Sequence, residues 1–333
     1  MKESIDVAKR MFSGIQPSGN LHIGNYFGAI RPWVALQEQY EGIFCIVNLH
    51  AITVVQPPED LRNWTRELAA WYLASGIDPQ RSIIFVQSHV PPHAELGWIL
   101  QCVAHFGELA RMTQFKSKAE DREVVLAGLF TYPTLMAADI LLYQTELVPV
   151  GEDQRQHVEL TRDLADRFNH QYAPVFTLPQ LYTPPEGARI MALDDPHKKM
   201  SKSSPSDASR IHLLDSPEQI VEKIAHAVTD SGREIRFDRE TKPGVSNLLE
   251  IYAAATGKEM AEIEAHFAGQ GYGTLKREVA DALIAELAPV QDRFRQLMRE
   301  NDLLDHLLAE GAQKAQAIAA ETLRRVKDAI GLL

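Results

Sequence analysis

The sequence predicts an α/β protein in which a Rossmann-type parallel sheet is followed by an all-helical domain. Three observations carry this. Short apolar runs alternate with segments of helical spacing over the first half of the chain. A glycine-rich turn joins the first such run to the first helical segment. From Ser216 onward only helical patterns remain. Alternation of strands and helices implies a doubly wound parallel sheet, whose ligands sit at the carboxyl ends of the strands.

Residues 11–15 read as a first strand, and Pro17, Ser18, Gly19 and Asn20 as a turn. Leu21, Asn25 and Gly28 then open a helical segment. A strand, a glycine turn and a helix start make an anion site, because free N–H groups and the positive end of the helix dipole face the turn. Residues 42–55 contain a continuous apolar run, as a strand buried on both faces would. Leu61, Trp64, Leu68 and Trp71 recur at helical spacing up to Gly76. Residues 82–87 read as another strand, 94–110 and 130–143 as helices, and 147–150 as a short strand. Gly151, Glu152, Asp153 and Gln154 start a helix running to about Asn169.

Pro174, Pro179, Pro184, Pro185, Gly187, Pro196 and Pro205 make 170–205 a connector. Ser216-Pro217-Glu218-Gln219 combines an N-cap, a first-turn proline and a capping-box Gln. A second helix covers 246–256 and closes at Gly257, and a third covers 275–299 with a kink at Pro289. The chain from Leu303 is largely helical, interrupted or bent near Gly311. The expected division is therefore 1–205 and 206–333, with the last helix able to pack back on the first domain.

The 333 residues are 45% apolar and 24% charged, as in an ordinary globular protein with about two domains. No apolar run reaches the ~18–20 residues of a membrane span, and the mixed charge of residues 1–6 is not that of a signal peptide. Two cysteines, Cys45 and Cys102, give neither a disulfide framework nor a metal knot. Both are expected as buried thiols in a reducing, cytoplasmic setting. A net charge of −11 argues against non-specific nucleic-acid binding but not against one RNA held by a local patch. Arg111, Lys116, Lys118 and Arg122, set against Glu120 and Asp121, form such a patch or simply a solvated loop.

Gly14 and Gly19 have P-loop spacing, but Asn20-Leu21 stand where Lys-Ser/Thr is required, and no dinucleotide fingerprint occurs. What remains is His22-Ile23-Gly24-Asn25, and roughly 175 residues later Lys199-Met200-Ser201-Lys202-Ser203. Alone, the first reads equally as a glycine helix start with a surface His, and the second as a flexible linker. Together, in this order and separation, they resemble the HIGH and KMSKS signatures of the class I aminoacyl-tRNA synthetases. The resemblance implies amino-acid activation, in which a carboxylate oxygen attacks the α-phosphorus of ATP and pyrophosphate leaves. Such chemistry asks mainly for positioning and charge stabilisation. Lys199 and Lys202 are suited to following charge onto the pyrophosphate, while His22 and Asn25 meet the phosphates from a helix start. Asn25 replaces the family's second His, which shifts electrostatic work onto the two lysines. Mg²⁺ is expected on the phosphates.

Tyr132, Met136, Asp139 and Tyr143 share one helical face. A carboxylate on an apolar stripe is costly to bury without a donor. Asp139 is then either structural, bonded to a local backbone N–H or a nearby Arg, or an acceptor for an indole N–H, which only donates. Phe12-Ser-Gly-Ile-Gln-Pro-Ser18, Thr131-Tyr-Pro-x-Leu-Met-Ala-Ala-Asp-Ile-Leu-Leu-Tyr143 and Val150-Gly-Glu-Asp-Gln154 with His157 are similar to the bacterial tryptophanyl-tRNA synthetases, the tryptophan branch of that class. The likeness runs from about Arg10 to the C-terminal helices. It implies L-tryptophan, ATP and tRNA(Trp) as substrates, a helical anticodon-binding domain, and a homodimer with its interface in the catalytic half. It implies ATP contacts from Gln16, Pro17, Ser18, Gly24, Asn25, Gly151, Glu152, Asp153, Ile190, Lys199, Met200, Ser201, Lys202 and Ser203. Around tryptophan it implies Phe12, His50, Gln114, Tyr132, Met136 and Asp139. A tyrosine-specific relative and a catalytically idle paralogue binding RNA or tryptophan are the alternatives.

Overall fold

The computed structural model describes residues 9–120, 124–183, 189–202 and 204–333, with only the backbone at 117–120 and 301. Arg122, Ser203 and the side chain of Lys118 thus lie outside the described residues. Five strands form one parallel sheet: β1 (Arg10–Ile15), β2 (Glu41–Ile46), β3 (Ile83–Val86), β4 (Leu147–Pro149) and β5 (Gln180–Tyr182). Through the middle of the chain the helices are α1 (Ile23–Asn25), α2 (Arg31–Leu36), α3 (Asn48–Ala51), α4 (Pro58–Ala74), α5 (Pro92–Val103), α6 (Phe106–Ala110), α7 (Thr113–Glu120), α8 (Ala127–Leu141) and α9 (Arg155–Gln171). Then come α10 (Pro217–His226), α11 (Pro243–Thr256), α12 (Met260–Phe267), α13 (Tyr272–Arg299) and α14 (Asn301–Ala329).

These elements fall into two compact units, neither continuous in sequence. One takes Met1–Ser18, Trp33–Pro184 and Glu300–Leu333; the other takes Gly19–Pro32 and Pro185–Arg299. A cut at 205/206 is linear, whereas each unit is assembled from separate stretches. The last helix, α14, belongs to the unit with the sheet, where it packs along β3 and α5.

In the sheet unit the strand order is β3-β2-β1-β4-β5. The order reverses between β1 and β4, so their carboxyl ends, Ile15 and Pro149, flank the switch point where such sheets bind ligands. Strand alternation decides the two faces. Phe12, Ile43, Cys45 and Phe85 join side chains of α5, α8, α9 and α14 in one core. Phe44 points the other way and stacks on Trp33 at 5.3 Å, whose ring Tyr72 meets edge-on at 5.7 Å.

Several sequence expectations change. The run 42–55 is a strand only to Ile46; Asn48–Ala51 is a helix, because a continuous apolar stretch does not encode its own period. The reading 94–110 is two helices, α5 and α6, with a new capping box at His105 and Glu108. The connector contains β5, and α12 lies between the second and third expected helices. Cys45 is buried, but Cys102 is exposed on α5. The Ser216 capping box forms as read, and Gly257 ends α11 at φ 68°.

Gly311 does not interrupt α14, which runs unbroken through it. Its role is close approach, since a Cβ there would overlap the Ile84 carbonyl oxygen on β3. Gly311→Ala should therefore destabilise the protein by about 1–3 kcal/mol through forced separation of helix and strand. That outweighs the ~1 kcal/mol that Ala gains over Gly in a helix interior. Thermal unfolding checks this; a raised midpoint would refute the close-packing account.

Candidate active site

In the sheet unit the candidate site grows from α8. The carboxylate of Asp139 is 1% exposed, yet among the described residues it meets neither a backbone N–H nor an Arg. Its Oδ1 accepts from Gln87 Nε2 at 2.7 Å and lies 2.6 Å from His93 Nδ1; its Oδ2 lies 2.7 Å from His50 Nε2. Burial opposes ionisation, but the hydrogen bonds and charge of His50 and His93 outweigh it and hold the carboxyl well below its ordinary range. Among the described residues three of the roughly four lone-pair positions of this carboxylate are used, leaving one on Oδ2. His93 reaches on to the Tyr143 hydroxyl at 2.7 Å, and Tyr143 stacks on Phe12 at 5.6 Å.

The other expected tryptophan contacts gather round this centre. Tyr132, about two turns before Asp139 on α8, meets the His50 ring edge-on at 6.1 Å. Its hydroxyl lies 2.6 Å from His157 Nε2 and donates to Gln114 Oε1 at 3.3 Å. Gln114 in turn donates to the Asp153 carbonyl at 3.1 Å. Met136, between Tyr132 and Asp139 on α8, packs half-buried against the core that contains Phe12. Gln16 follows β1 and donates to the His50 carbonyl at 3.0 Å, and the Ser18 N–H closes a turn onto Gln16 O. Pro17 is buried between them. Gly151 starts a short 3-10 turn after β4, with Glu152 and Asp153 exposed on it; Glu152 pairs with Arg155.

Sequence reasoning missed Gln87 and His93 and gave no role to His157. Gln87 carried a signal: a polar residue at the carboxyl end of a buried strand, here 0% exposed. His93 had none, since only tertiary packing brings it to Asp139.

In the second unit the two signatures are joined by backbone. Ile23 N donates to Ile211 O at 3.0 Å, and Leu213 N to Leu21 O at 2.9 Å, so the first signature pairs with the segment just after the second. Met200, buried, donates its N–H to Ile190 O at 3.1 Å, and Met191 bridges Lys199. Asn247 on α11 clasps Met191 through both its N–H and its carbonyl.

His22 caps α1: its Nδ1 accepts from Gly24 N at 3.1 Å, while Asn25 Oδ1 accepts from His22 N at 3.2 Å. This reciprocal pair is a capping box that spans the signature. Burial first, then Lys202, His212, Arg210 and Lys199, lower the His22 imidazole to about 3. It is therefore neutral, and with Nδ1 accepting, Nε2 carries the proton and donates. A Cβ at Gly24 would come within 2.9 Å of His22 Nδ1, so any side chain there would press on the capping ring. Lys199 is exposed, Ser201 and Lys202 are half-buried, and burial lowers the Lys202 ammonium to about 8.

Comparison with known proteins gives the class to which a chain with these two signatures belongs. Residues 6–288 match the family described as tRNA synthetases class I (W and Y). The chain is 56% identical over 325 residues, 98% of its own length and 99% of the relative's, to the tryptophan--tRNA ligase of Caldanaerobacter subterraneus subsp. tengcongensis. Among solved structures it resembles the tryptophanyl-tRNA synthetase of Mycoplasma pneumoniae, with a TM-score of 0.91, 39% identity and 98% of both chains covered. It also resembles the Campylobacter jejuni enzyme complexed with ADP and tryptophan, with a TM-score of 0.82, 37% identity, and 97% and 99% covered. The chain belongs to the class I tRNA synthetases of the tryptophan and tyrosine group.

Proposed function

We propose that this protein activates L-tryptophan with MgATP to tryptophanyl-adenylate and pyrophosphate, then transfers tryptophan to the 3'-terminal adenosine of tRNA(Trp). The observation that carries the amino-acid choice is the ionised, buried Asp139 with one acceptor position left. A donor-only indole N–H matches an acceptor-only carboxylate. Phe12 and Met136 are walls of that pocket, while His50, Gln114 and Tyr132 serve its polar side.

The α-carboxylate of tryptophan attacks the α-phosphorus of ATP, and negative charge moves onto the departing pyrophosphate. Lys199 and Lys202 meet that charge as mobile ammonium groups, and His22 donates through Nε2–H beside the Asn25 amide. Gln16, Pro17, Ser18, Gly151, Glu152 and Asp153 contribute nucleotide contacts from the ends of β1 and β4. Gly24, Ile190, Met200 and Ser201 contribute theirs through backbone, and Ser203 completes the signature outside the described residues. Mg²⁺ arrives with ATP, held by phosphates and water.

The helices within 206–299 are proposed to bind the anticodon. A homodimer fits the exposed apolar side chains of the sheet unit, Val55, Trp98, Phe106 and Val124 among them. No helix of the described residues is long and apolar enough to cross a membrane; a cytoplasmic setting is part of this proposal.

The test is pyrophosphate exchange into ATP with each standard amino acid and Mg²⁺, without tRNA. Exchange with tryptophan alone is expected. Exchange with tyrosine would keep the chemistry and overturn the Asp139 reading. No exchange, from folded protein that still binds ATP or RNA, would point to an idle paralogue.

A further inference from the structure

The lysine loop is held from behind by a residue that neither signature contains. Arg210, its side chain 12% exposed, directs one nitrogen at two backbone carbonyls: Nη1 donates to Ser201 O at 3.1 Å and to Ser204 O at 2.8 Å. Both acceptors lie in the stretch that carries Lys202, just after Met200 and Lys199. A guanidinium nitrogen has two hydrogens, so this one can satisfy both carbonyls with charge-assisted bonds.

Arg210 is itself braced. Its Nη2 lies 3.8 Å from Asp207 Oδ1, and Asp207 Oδ1 lies 2.7 Å from His212 Nε2. Lys223, on α10, bonds Asp207 Oδ2 at 2.9 Å and Asp215 Oδ2 at 2.7 Å. Asp215 accepts from His212 N at 2.9 Å. A continuous chain of charged contacts therefore runs from the lysine loop to α10.

We infer that Arg210 is a positioning residue for amino-acid activation, fixing the backbone from which Lys199 and Lys202 reach the leaving pyrophosphate, with Asp207 as its brace. The inference rests on the activation reaction proposed above. Positioned charge acts only if its backbone is held where charge develops, so losing the hold should cost rate rather than amino-acid affinity.

The experiment compares wild type with Arg210→Met, which keeps an unbranched apolar stem but donates nothing, Arg210→Lys, which retains a cationic donor, and Asp207→Asn. Pyrophosphate-exchange kcat, equilibrium tryptophan binding and amide hydrogen exchange over 199–204 are measured on each. In Arg210→Met, kcat should fall about tenfold or more, with tryptophan binding within about twofold of wild type. Amide exchange at 199–204 should quicken, and Arg210→Lys should recover most of the rate. A kcat within about twofold of wild type in the Met variant overturns the inference, and so does a loss that Lys does not recover. Should Arg210→Met fail to fold, Asp207→Asn decides: a several-fold drop in kcat supports the brace, and an unchanged kcat overturns it. If wild type itself exchanges with no amino acid, the activation reading fails, while amide exchange in the variants still shows whether Arg210 holds the loop.

Discussion

Asp139→Ala is expected to lower kcat/KM for tryptophan by ~10²-fold or more, because an indole N–H left without its acceptor costs roughly 1–3 kcal/mol and the pocket loses its orienting group. The same change also removes the acceptor of Gln87, His50 and His93, two of which are fully buried. Orphaned buried donors are costly, so the unfolding midpoint should drop as well. The carboxylate's contribution to stability has a defined pH window. Its folded-state pKa is depressed, so that contribution is fully present above the unfolded value of ~3.9 and is lost as pH falls through the folded one.

A rate loss alone would thus mix specificity with damage. The decisive readout is a ratio: kcat/KM for tryptophan over kcat/KM for an analogue whose indole N–H is replaced by sulfur. Wild type should prefer tryptophan by about two orders of magnitude, and Asp139→Ala should prefer it hardly at all. A ratio unchanged by the substitution would remove Asp139 from amino-acid selection, whatever happens to stability.

The parallel sheet and most helices were legible because their signals are local. Capping residues at Ser216, the left-handed Gly257 and periodic apolar faces each specify structure within a few residues. Elements that failed to show themselves depend on distant partners. The three residues of β5 are too few to show a period of their own and become a strand by pairing with Leu147, Val148 and Pro149. Gly311 reads as a helix breaker until Ile84 is known to lie against it. The same division applies to the site. His22-Ile23-Gly24-Asn25 was visible because it is contiguous and is paired with Lys199-Met200-Ser201-Lys202-Ser203 downstream; the capping box within it appears only in the structure. Gln87 and His93 come from β3 and α5 regions far from Asp139 in sequence, so no spacing betrays them. Arg210 was hidden for another reason: what it recognises is backbone, which carries no residue pattern to match.

Lys202→Ala should slow adenylate formation by ~10²–10³-fold, the usual cost of removing one preorganised group from developing charge, while tryptophan binding changes far less. Equal losses in both would mean that Lys202 binds the ground state instead. Its pH behaviour supplies an independent check. Burial lowers this ammonium to about 8, so the free protein loses the charge as pH rises through that value. The profile of kcat/KM for ATP reports the free form and should therefore fall roughly tenfold per unit above pH ~8. Bound triphosphate favours the cation and should move the corresponding limb of kcat to higher pH. Lys202→Arg keeps a charge that does not titrate in this range, so whatever activity it retains should show no such limb. If the limb persists unchanged in the Arg variant, another group titrates there, and the lowered ammonium of Lys202 is not what the reaction feels.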